Sequence, residues 1–485
     1  MKALLTIACI FIYTNCFAST CPIQCTNNVL LQIYPNQNAC VLQKSIPPKL
    51  RGLSFATYPI DIANYNIERF NFNKRFNIFP KAIFAPRCVS DLAKVLRYLS
   101  KHHLNFSIRS GGHCFEPGSL SPDYILDLRE FDQIKVSKNK AYIGAGARLG
   151  PVIKKLGKCN YVIPTGTCQS VGIAGLTMGG GIGFLSRTFG LTCDAVESIT
   201  FMTADSKIIK VNKNQHPDLF WALRGAGNGS YGIALGFTFK TFHVPKVSFL
   251  KLKWEWDPLL VHQIFDAWQA WIQNLPDSIN PVLTLEYLDG KLGLLLEALK
   301  VGKEPFTEWE QAFQQFNPQV ELQTGRYVDL AQLWADSPTA PFQKIKSLIA
   351  FQPISPFAVQ LTIDYFEQLK LSKAPFDVGF EFSAFGGKLA QGDTAFFPRS
   401  AFEWWHQAVN WHQQEQGPAA LASIRQFYNS VAPLVSKFSY ANDVDYDLGS
   451  HYLKAYYGTH VNRLIKIKNI YDPKNIFHWK QSIPP

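Results

Sequence analysis

The chain has 485 residues, more than one hydrophobic core usually holds and enough for two or three domains. Hydrophobic residues make up 47% and charged residues 17%, so disorder is excluded for most of the length. The formal net charge of +12 comes from Lys and Arg scattered along the chain, without a polybasic run or a zinc-finger pattern. We therefore expect neither a nucleic-acid partner nor a metal site.

The first residues have the pattern of a secretory signal. Lys2 supplies the positive start, residues 4–13 form an apolar stretch, and Ala18 ends a segment suited to cleavage. The pattern predicts a signal peptide over residues 1–18 and a secreted or periplasmic protein, with a short N-terminal helix or strand as the alternative. No later apolar run is long enough to predict a membrane span.

All ten cysteines lie before residue 194. An oxidising compartment favours disulfides, and their pairing cannot be deduced from the sequence. Residues 19–69 hold three of these cysteines and few periodic apolar positions, so they are interpreted as a loosely structured, Cys-containing N-terminal segment.

Short helices and strands alternate in the next part, residues 70–247. Asp91 is predicted to cap a helix, with Leu92, Val95, Leu96 and Leu99 on its apolar face. Strands bounded by turn residues are predicted at residues 106–109, 125–128 and 141–144. This pattern is typical of mixed helix and sheet with glycine-rich connections.

The pattern changes near residue 248. Apolar and charged residues alternate there, which is typical of a strand with one solvated face. Further on, Asp289 and Gly290 separate two apolar runs and give a two-residue hairpin signal. The predicted elements are a strand at 250–256, a helix at 260–271, paired strands at 282–288 and 291–298, and a strand at 376–385. We predict a second domain over residues 248–445, an antiparallel sheet covered by helices.

Glycine is concentrated in residues 110–112, 166–190 and 225–232. Without a Cβ, backbone amides can approach phosphate oxygens, so the set favours a nucleotide cofactor. Tight turns between buried strands are the alternative. The spacing of Gly227, Gly229 and Gly232 matches G-x-G-x-x-G, but a strand is predicted directly after it, whereas the dinucleotide fingerprint opens a helix.

These segments carry a resemblance to a known family. The chain resembles the berberine bridge enzyme-like branch of the FAD-linked oxidases of the vanillyl-alcohol oxidase type, over about residues 52–485. The motifs that carry it are Arg109-Ser110-Gly111-Gly112-His113 with Glu116 and Ser119, Gly166-Thr167-Cys168, Val171-Gly172, Gly179-Gly180-Gly181, Trp221-Ala222-Leu223-Arg224-Gly225, Gly229-Ser230-Tyr231-Gly232-Ile233, Tyr440, Asn442, Asp445, Asp447-Leu448-Gly449, and the ending from Asp472 to Pro485.

The resemblance implies an α+β fold. A PCMH-type, two-subdomain FAD-binding domain would span residues 70–247 and be completed by a C-terminal return over residues 446–485. A substrate domain over 248–445 would lay an antiparallel sheet over the flavin.

The resemblance also implies covalent FAD. His113 would bond to the flavin 8α-methyl group and Cys168 to its C6 atom, since imidazole nitrogen and thiolate sulfur are the nucleophiles suited to this attack. The alternatives are a backbone-bonded loop histidine and a disulfide or buried thiol. Other cofactor-binding residues implied are Arg109, Ser110, Gly111, Gly112, Val171, Gly172, Gly175, Gly179, Gly180, Gly181, Gly183, Gly232, Ile233, Tyr457 and Asn475.

Three residues are candidates for the base that removes a hydroxyl proton in the family's usual reaction. On a predicted strand over 403–411, His406 falls at the family's Glu or Gln position, and imidazole can act near neutral pH. Packing among the neighbouring tryptophans is its alternative. Tyr456 fits the family's C-terminal tyrosine, or else forms an aromatic platform. Glu381 is the third candidate, or is paired or exposed.

The substrate implied is a small alcohol or a carbohydrate. Val171 falls at the family's oxygen-gate position, where a small residue accompanies oxidase behaviour, so molecular oxygen is the expected acceptor. Ile182 replaces the Tyr that relatives acting on plant phenolic alcohols often carry, and eleven Trp suit stacking on sugars. Oxidative cyclisation or dehydrogenation of a secondary metabolite, or a low-turnover binding or defence flavoprotein, are the alternatives.

Overall fold

The computed structural model describes residues 45–335 and 341–485. The predicted signal peptide and Cys21, Cys25 and Cys40 lie outside the described residues. Among the described residues, Cys88, Cys114, Cys159 and Cys193 form no disulfide. Across these same residues, no helix combines the length and apolar character needed to cross a membrane.

Strands and helices are numbered here in chain order. The strands are β1 Ala56–Thr57, β2 Ala82–Phe84, β3 Phe106–Arg109, β4 Tyr124–Asp127, β5 Ile134–Ser137, β6 Lys140–Gly144, β7 Tyr161–Val162, β8 Val196–Met202, β9 Ile208–Asn212, β10 Ile233–Lys240, β11 Phe242–His243, β12 Val247–Trp254, β13 Ile279–Leu288, β14 Lys291–Val301, β15 Gln319–Gly325, β16 Phe342–Ala350, β17 Asp377–Ala384 and β18 Glu403–Trp411. The α-helices are α1 Ile62–Glu68, α2 Val89–Lys101, α3 Leu149–Gly157, α4 Ile173–Met178, α5 Ser186–Phe189, α6 Pro217–Leu223, α7 Pro258–Gln273, α8 Glu310–Phe313, α9 Tyr327–Leu330, α10 Pro356–Ser372, α11 Gly417–Val435, α12 Tyr452–Tyr457 and α13 Val461–Tyr471.

The N-terminal half contains two larger sheets around one core, and β7 and β11 form an additional two-stranded sheet. A four-stranded sheet has the order β1-β2-β4-β3, with β4 parallel to β2 and β3. A five-stranded antiparallel sheet has the order β5-β6-β10-β8-β9. The last residues return to this core, where Leu464, Phe477 and Ile483 are buried. The buried Lys468 donates to the carbonyl of Ser230 and ties the return to a glycine-rich segment.

The second half is built on one antiparallel sheet of seven strands, in the order β15-β12-β14-β13-β17-β18-β16. Residues of α7, α10 and α11 pack against one face and form a second core. On β18 the burial alternates: Glu403, Trp405 and Gln407 are buried in this core, whereas Trp404 and His406 are half-buried on the opposite face. The alternation therefore turns Trp404 and His406 towards the N-terminal half.

The strands predicted at residues 106–109 and 403–411 are confirmed, as is the strand that follows the G-x-G-x-x-G match. The hairpin is also confirmed: Asp289 and Gly290 have φ of 49° and 78°, which matches a two-residue turn between β13 and β14. The predicted cap at Asp91 is wrong, because α2 begins at Val89 and its N-cap is Cys88. Asp91 instead lies in the first turn, where its negative charge interacts favourably with the positive end of the helix dipole.

Candidate active site

A cleft of about 330 Å³ lies between the glycine-rich segments of the N-terminal half and the half-buried face of the large sheet. One wall contains residues 110–112 after β3, residues 228 and 229, and residues 232–234 at the start of β10. The facing wall contains Glu381, Trp404 and His406. The two halves of the chain therefore share one cleft.

Glycine shapes the cleft in two different ways. Gly111 and Gly172 approach so closely that a Cβ on either would collide with the backbone of the other. Gly175 also lines the cleft, but a Cβ there would meet no atom within 4 Å. The first pair brings two loops together, and Gly175 leaves open space beside them, as a backbone cradle for a ligand requires.

His113 and Cys168 both line this cleft and are half-buried. The imidazole of His113 is stacked on Phe72, with ring centroids 3.8 Å apart and an interplanar angle of 18°. The amide of Phe72 donates a 2.8 Å hydrogen bond to the carbonyl of Gly112, which fixes this loop. Val171, also half-buried, lies in the same lining three residues after Cys168.

Cys114 lies beside His113 and lines the cleft. Burial raises the pKa of its thiol to about 11. The thiol is therefore protonated at neutral pH and a poor nucleophile. Of the cysteines in the cleft lining, Cys168 is the better candidate for covalent chemistry.

His406 is held by a carboxylate. Its Nδ1 lies 3.2 Å from Oδ2 of the buried Asp443, and the same oxygen accepts a 2.9 Å hydrogen bond from Nε1 of Trp404. Glu381 is directly opposite His406 in the β17–β18 register and is open to the cleft. Two carboxylates thus flank one imidazole.

The electrostatic consequences follow from this geometry. Burial alone would lower the pKa of His406, but the charge of Asp443, its hydrogen bond and the charge of Glu381 outweigh burial and raise that pKa. The pKa of Glu381 is raised as well, because the cleft walls restrict its hydration; His406 opposes this shift, and Glu297 and Asp443 add to it. The two carboxylates together therefore favour the protonated form of this imidazole.

Tyr456 is not brought to the cleft. Its hydroxyl accepts a 2.9 Å hydrogen bond from the amide of Asp445 and donates to Oε1 of Gln481 at 3.1 Å. Burial raises the pKa of this hydroxyl well above its ordinary value. The geometry gives Tyr456 a role in fixing the C-terminal return, and leaves His406 and Glu381 as the candidate bases in the cleft.

The predicted cofactor-binding residues divide into two groups. Those that line the cleft are Ser110, Gly111, Gly112, His113, Cys168, Val171, Gly172, Gly175, Gly232 and Ile233. Those that are not part of the lining are Arg109, Gly179, Gly180, Gly181, Gly183, Tyr457 and Asn475.

The second group supports the walls. Arg109 forms a buried ion pair with Asp127, at 2.6 Å. Among the glycines, Gly181 packs against Thr192, where a Cβ would lie 2.2 Å from Oγ1. Gly179 and Gly180 pack against Asn442 and Phe396, and Gly183 against the carbonyl of Thr165. Tyr457 is buried, and Asn475 has a φ of 50° in the turn after α13.

Sequence reasoning missed Asp443, Trp404 and Phe72. Asp443 stands between Asn442 and Asp445, which both belong to the quoted motifs, so an unassigned carboxylate in that segment was the available signal. Trp404 and Phe72 gave no local signal, because their roles come from contacts with His406 and His113 across the fold.

The residues present fit FAD. The open space beside Gly175 and the Cβ-free approach of Gly111 and Gly172 supply a cradle of backbone donors. His113 and Cys168 lie on the same lining as the candidate base His406. A flavin cofactor therefore has a binding surface, two side chains suited to attachment and a proton acceptor within one cleft.

Comparisons with known proteins agree with this site. The family model described as an FAD binding domain matches residues 80–212, and the one described as berberine and berberine like matches residues 439–484. The FAD-linked oxidoreductase YgaK of Bacillus subtilis is 30% identical over 439 residues, covering 88% of this chain and 96% of that protein. Berberine bridge enzyme-like 12 of Arabidopsis thaliana is 30% identical over 475 residues, covering 85% and 86%.

Solved structures have the same fold. Wild-type BBE-like 1 of Physcomitrella patens has a TM-score of 0.81 at 25% identity and covers 92% of this chain and 99% of its own. The xylooligosaccharide oxidase of Myceliophthora thermophila has a TM-score of 0.78 at 22% identity, covering 87% and 95%, and shows a shared fold. The chain thus belongs to the berberine bridge enzyme-like family of FAD-linked oxidoreductases.

Proposed function

We propose that this FAD-linked oxidoreductase oxidises a hydroxyl group of an alcohol or a carbohydrate, with His406 as the base and molecular oxygen as the acceptor. The observation that carries the proposal is the position of His406, in one cleft with His113 and Cys168 and hydrogen-bonded through Nδ1. A bound flavin supplies a two-electron acceptor for the hydride that leaves the substrate carbon. The protein has to hold the substrate and remove its hydroxyl proton.

The imidazole is suited to that proton transfer. Because Nδ1 is bound to Asp443, Nε2 is the ring nitrogen left to a substrate hydroxyl. The imidazolium formed by proton transfer would be stabilised by Asp443 and Glu381, whose charges favour it. Glu381 also offers a carboxylate acceptor to a second hydroxyl of the substrate.

Covalent attachment is part of the proposal. His113 is the candidate for the 8α bond and Cys168 for the C6 bond, because both line the cleft. The stack on Phe72 restricts the ring of His113 to one orientation, which favours reaction at a single position. Val171, three residues after Cys168, contributes only a small side chain to the cleft wall. A small side chain leaves room for oxygen, which supports oxygen as the acceptor.

A carbohydrate is the favoured substrate class. The indole of Trp404 lines the cleft beside His406, and an aromatic face suits the apolar face of a sugar. Structural neighbours include proteins named chitooligosaccharide oxidase and xylooligosaccharide oxidase. The apolar stretch over residues 4–13 supports secretion of the protein, and carbohydrate substrates occur outside the cell.

The test is reduction of the purified holoprotein under anaerobic conditions by two panels, one of mono- and oligosaccharides and one of benzylic and aliphatic alcohols. Bleaching of the flavin absorbance, followed by hydrogen peroxide release on admission of air, supports the proposal. His406→Gln should bind the same flavin and be reduced roughly 10²–10⁴-fold more slowly, as expected on loss of a general base. Absence of bleaching by every member of both panels would overturn it and favour a low-turnover flavoprotein.

A further inference from the structure

Asp443 lies in the segment between α11 and α12 and is almost completely buried, with 2% of its surface exposed. A buried carboxylate is costly unless hydrogen-bond donors satisfy it. Here the donors are Nε1 of Trp404 and Nδ1 of His406, two side chains on the same face of β18. Both donate to the same oxygen, Oδ2.

We propose that Asp443 is a positioning residue: it holds His406 in the tautomer protonated at Nδ1, so that Nε2 faces the substrate as an unprotonated base. The inference rests on the proposed function for the role of His406. Its physical basis is that a carboxylate can only accept a hydrogen bond, so the nitrogen beside it has to carry the hydrogen. Asp443 also lines the cleft, and its proposed role is exerted through the hydrogen bond between its carboxylate and His406.

Trp404 fixes the carboxylate. Because its indole N–H can only donate, the bond to Oδ2 resists rotation of the Asp443 carboxyl group away from His406. The indole and imidazole rings also meet edge to face, with centroids 5.3 Å apart. Trp404 therefore constrains both members of the pair.

The segment that carries Asp443 also connects to the glycine-rich wall. Nδ2 of Asn442 donates to the carbonyl of Leu176, and the hydroxyl of Tyr440 accepts a 2.8 Å bond from the amide of Gly181. The amide of Asp443 in turn donates to the carbonyl of Tyr440 at 3.0 Å. Through these hydrogen bonds, the segment that holds His406 is attached to the glycine-rich wall of the cleft.

The pKa of His406 depends on the charged groups that surround its ring. Asp443 contributes a carboxylate from the C-terminal segment and Glu381 another from β17. Ser347 of β16, its partner in register on the other side, is uncharged, and Phe115 approaches from the N-terminal half. With both charges negative, loss of Asp443 removes the stronger of two influences that favour the protonated ring.

The test uses ¹⁵N-histidine-labelled protein, with the His406 signal identified by its absence in His406→Gln. In the parent protein, the neutral ring of His406 should carry its hydrogen on Nδ1. Asp443→Asn preserves the shape and can still accept from Trp404, but its amide can also offer a donor to Nδ1. We expect a mixture of tautomers, titration at lower pH, and flavin reduction slowed roughly 10²–10⁴-fold with its acid limb displaced to lower pH.

Asp377→Asn is the matched control. Asp377, the first residue of β17, and His412, which directly follows β18, form a second Asp–His pair, with Nε2 of His412 3.0 Å from Oδ2 of Asp377. Asp377 is four residues from Glu381 along β17, about 13 Å away. The control also removes one carboxylate that is paired with a histidine, and should leave the His406 tautomer and the acid limb unchanged.

An unchanged His406 tautomer and titration in Asp443→Asn would overturn the inference, as would an equal change in Asp377→Asn. If Asp443→Asn does not fold, Trp404→Phe replaces it: the carboxylate then has one donor fewer, and His406 should titrate at higher pH. No change in that variant would also overturn the inference. These spectra need no substrate, so a protein that no sugar or alcohol reduces would contradict the proposed function without deciding the role of Asp443.

Discussion

Trp268 on α7 donates a 2.9 Å hydrogen bond to Glu403 on β18, inside the second core. Glu403 has no exposed surface, and its Oε1 has no hydrogen-bond partner among the described residues. Burial raises the pKa of this carboxyl group to about 7, although the bond from Trp268 opposes the shift. The carboxyl group is therefore largely protonated below neutral pH, as an acid in an apolar core is expected to be.

Glu403 makes stability depend on pH. The unfolded chain ionises near pH 4.5 and the folded chain near pH 7, so the folded state binds the extra proton between these values and stability falls as the pH rises through them. The loss amounts to roughly 3 kcal/mol if the whole shift is expressed. Glu403→Gln keeps an acceptor for Trp268 and should lose less stability between pH 5 and pH 8 than the parent protein, measured by urea unfolding at both pH values. A parent-minus-variant difference that is the same at both pH values would contradict this assignment.

Ion pairs of buried residues join the two halves of the chain. Lys344 on β16 pairs with Glu116, 2.6 Å away in the loop that follows His113, and with Asp445 of the C-terminal segment. All three are buried, and Lys346 adds a 2.7 Å pair to Asp445. The pairs attach the flavin-side loop to the strand next to β18.

Lys344→Met should destabilise the protein strongly, because it removes the positive charge that Lys344 places between the buried carboxylates of Glu116 and Asp445. We expect a loss of about 3 kcal/mol, measured by urea unfolding. Arg425→Met is the comparison, since Arg425 pairs with Asp447 at the rim and its side chain is 47% exposed; its loss should cost less than about 1 kcal/mol. Equal effects of the two variants would show that burial of the pair does not matter here.

Gly172 and Gly175 predict opposite results on substitution. A Cβ on Gly172 would lie 2.3 Å from the amide nitrogen of Gly111, so Gly172→Ala should separate the two loops and cost about 2 kcal/mol of stability. A Cβ on Gly175 meets no protein atom within 4 Å, so the purified Gly175→Ala protein should contain less FAD, while its apo form should have a thermal midpoint no lower than that of the parent apo form. FAD is measured by absorbance against protein concentration. A destabilised Gly175→Ala apoprotein would show that this glycine serves folding alone.

Covalent attachment can be tested by acid denaturation and centrifugation. With both bonds present, yellow colour remains in the pellet of the parent protein. Cys168→Ala should keep the colour in the pellet with a shifted spectrum, because the bond through His113 persists, and His113→Ala should do the same through Cys168. The double variant should release the colour to the supernatant. Colour in the supernatant of the parent would rule out both bonds and leave a non-covalent FAD protein.

The strands were predictable from local pattern. The strand over 403–411 and the turn at Asp289 and Gly290 depend on residues adjacent in the chain, and the structure places these elements as predicted. The cap of α2 was not predictable in this way: Asp91 is a good capping residue, but the helix begins two residues before it. The preference of Asp for the N-cap position was outweighed by the tertiary structure, which starts the helix at Val89.

The candidate base shows the same division. The resemblance suggests both His406 and Tyr456 as the base, but Tyr456 is turned into hydrogen bonds with Asp445 and Gln481. The fold decides which of two suitable side chains reaches the cleft. No spacing along the chain distinguishes them.

Residue order alone was enough to assign the family and the strand that carries His406, because motifs and strand patterns are local properties. Only the tertiary structure gave His406 its environment. Asp443 is 37 residues away along the chain, and it meets His406 because the segment after α11 folds back over β18. Proton affinity depends on charges a few ångströms away in space, and those charges come from β17 and from the C-terminal segment at once.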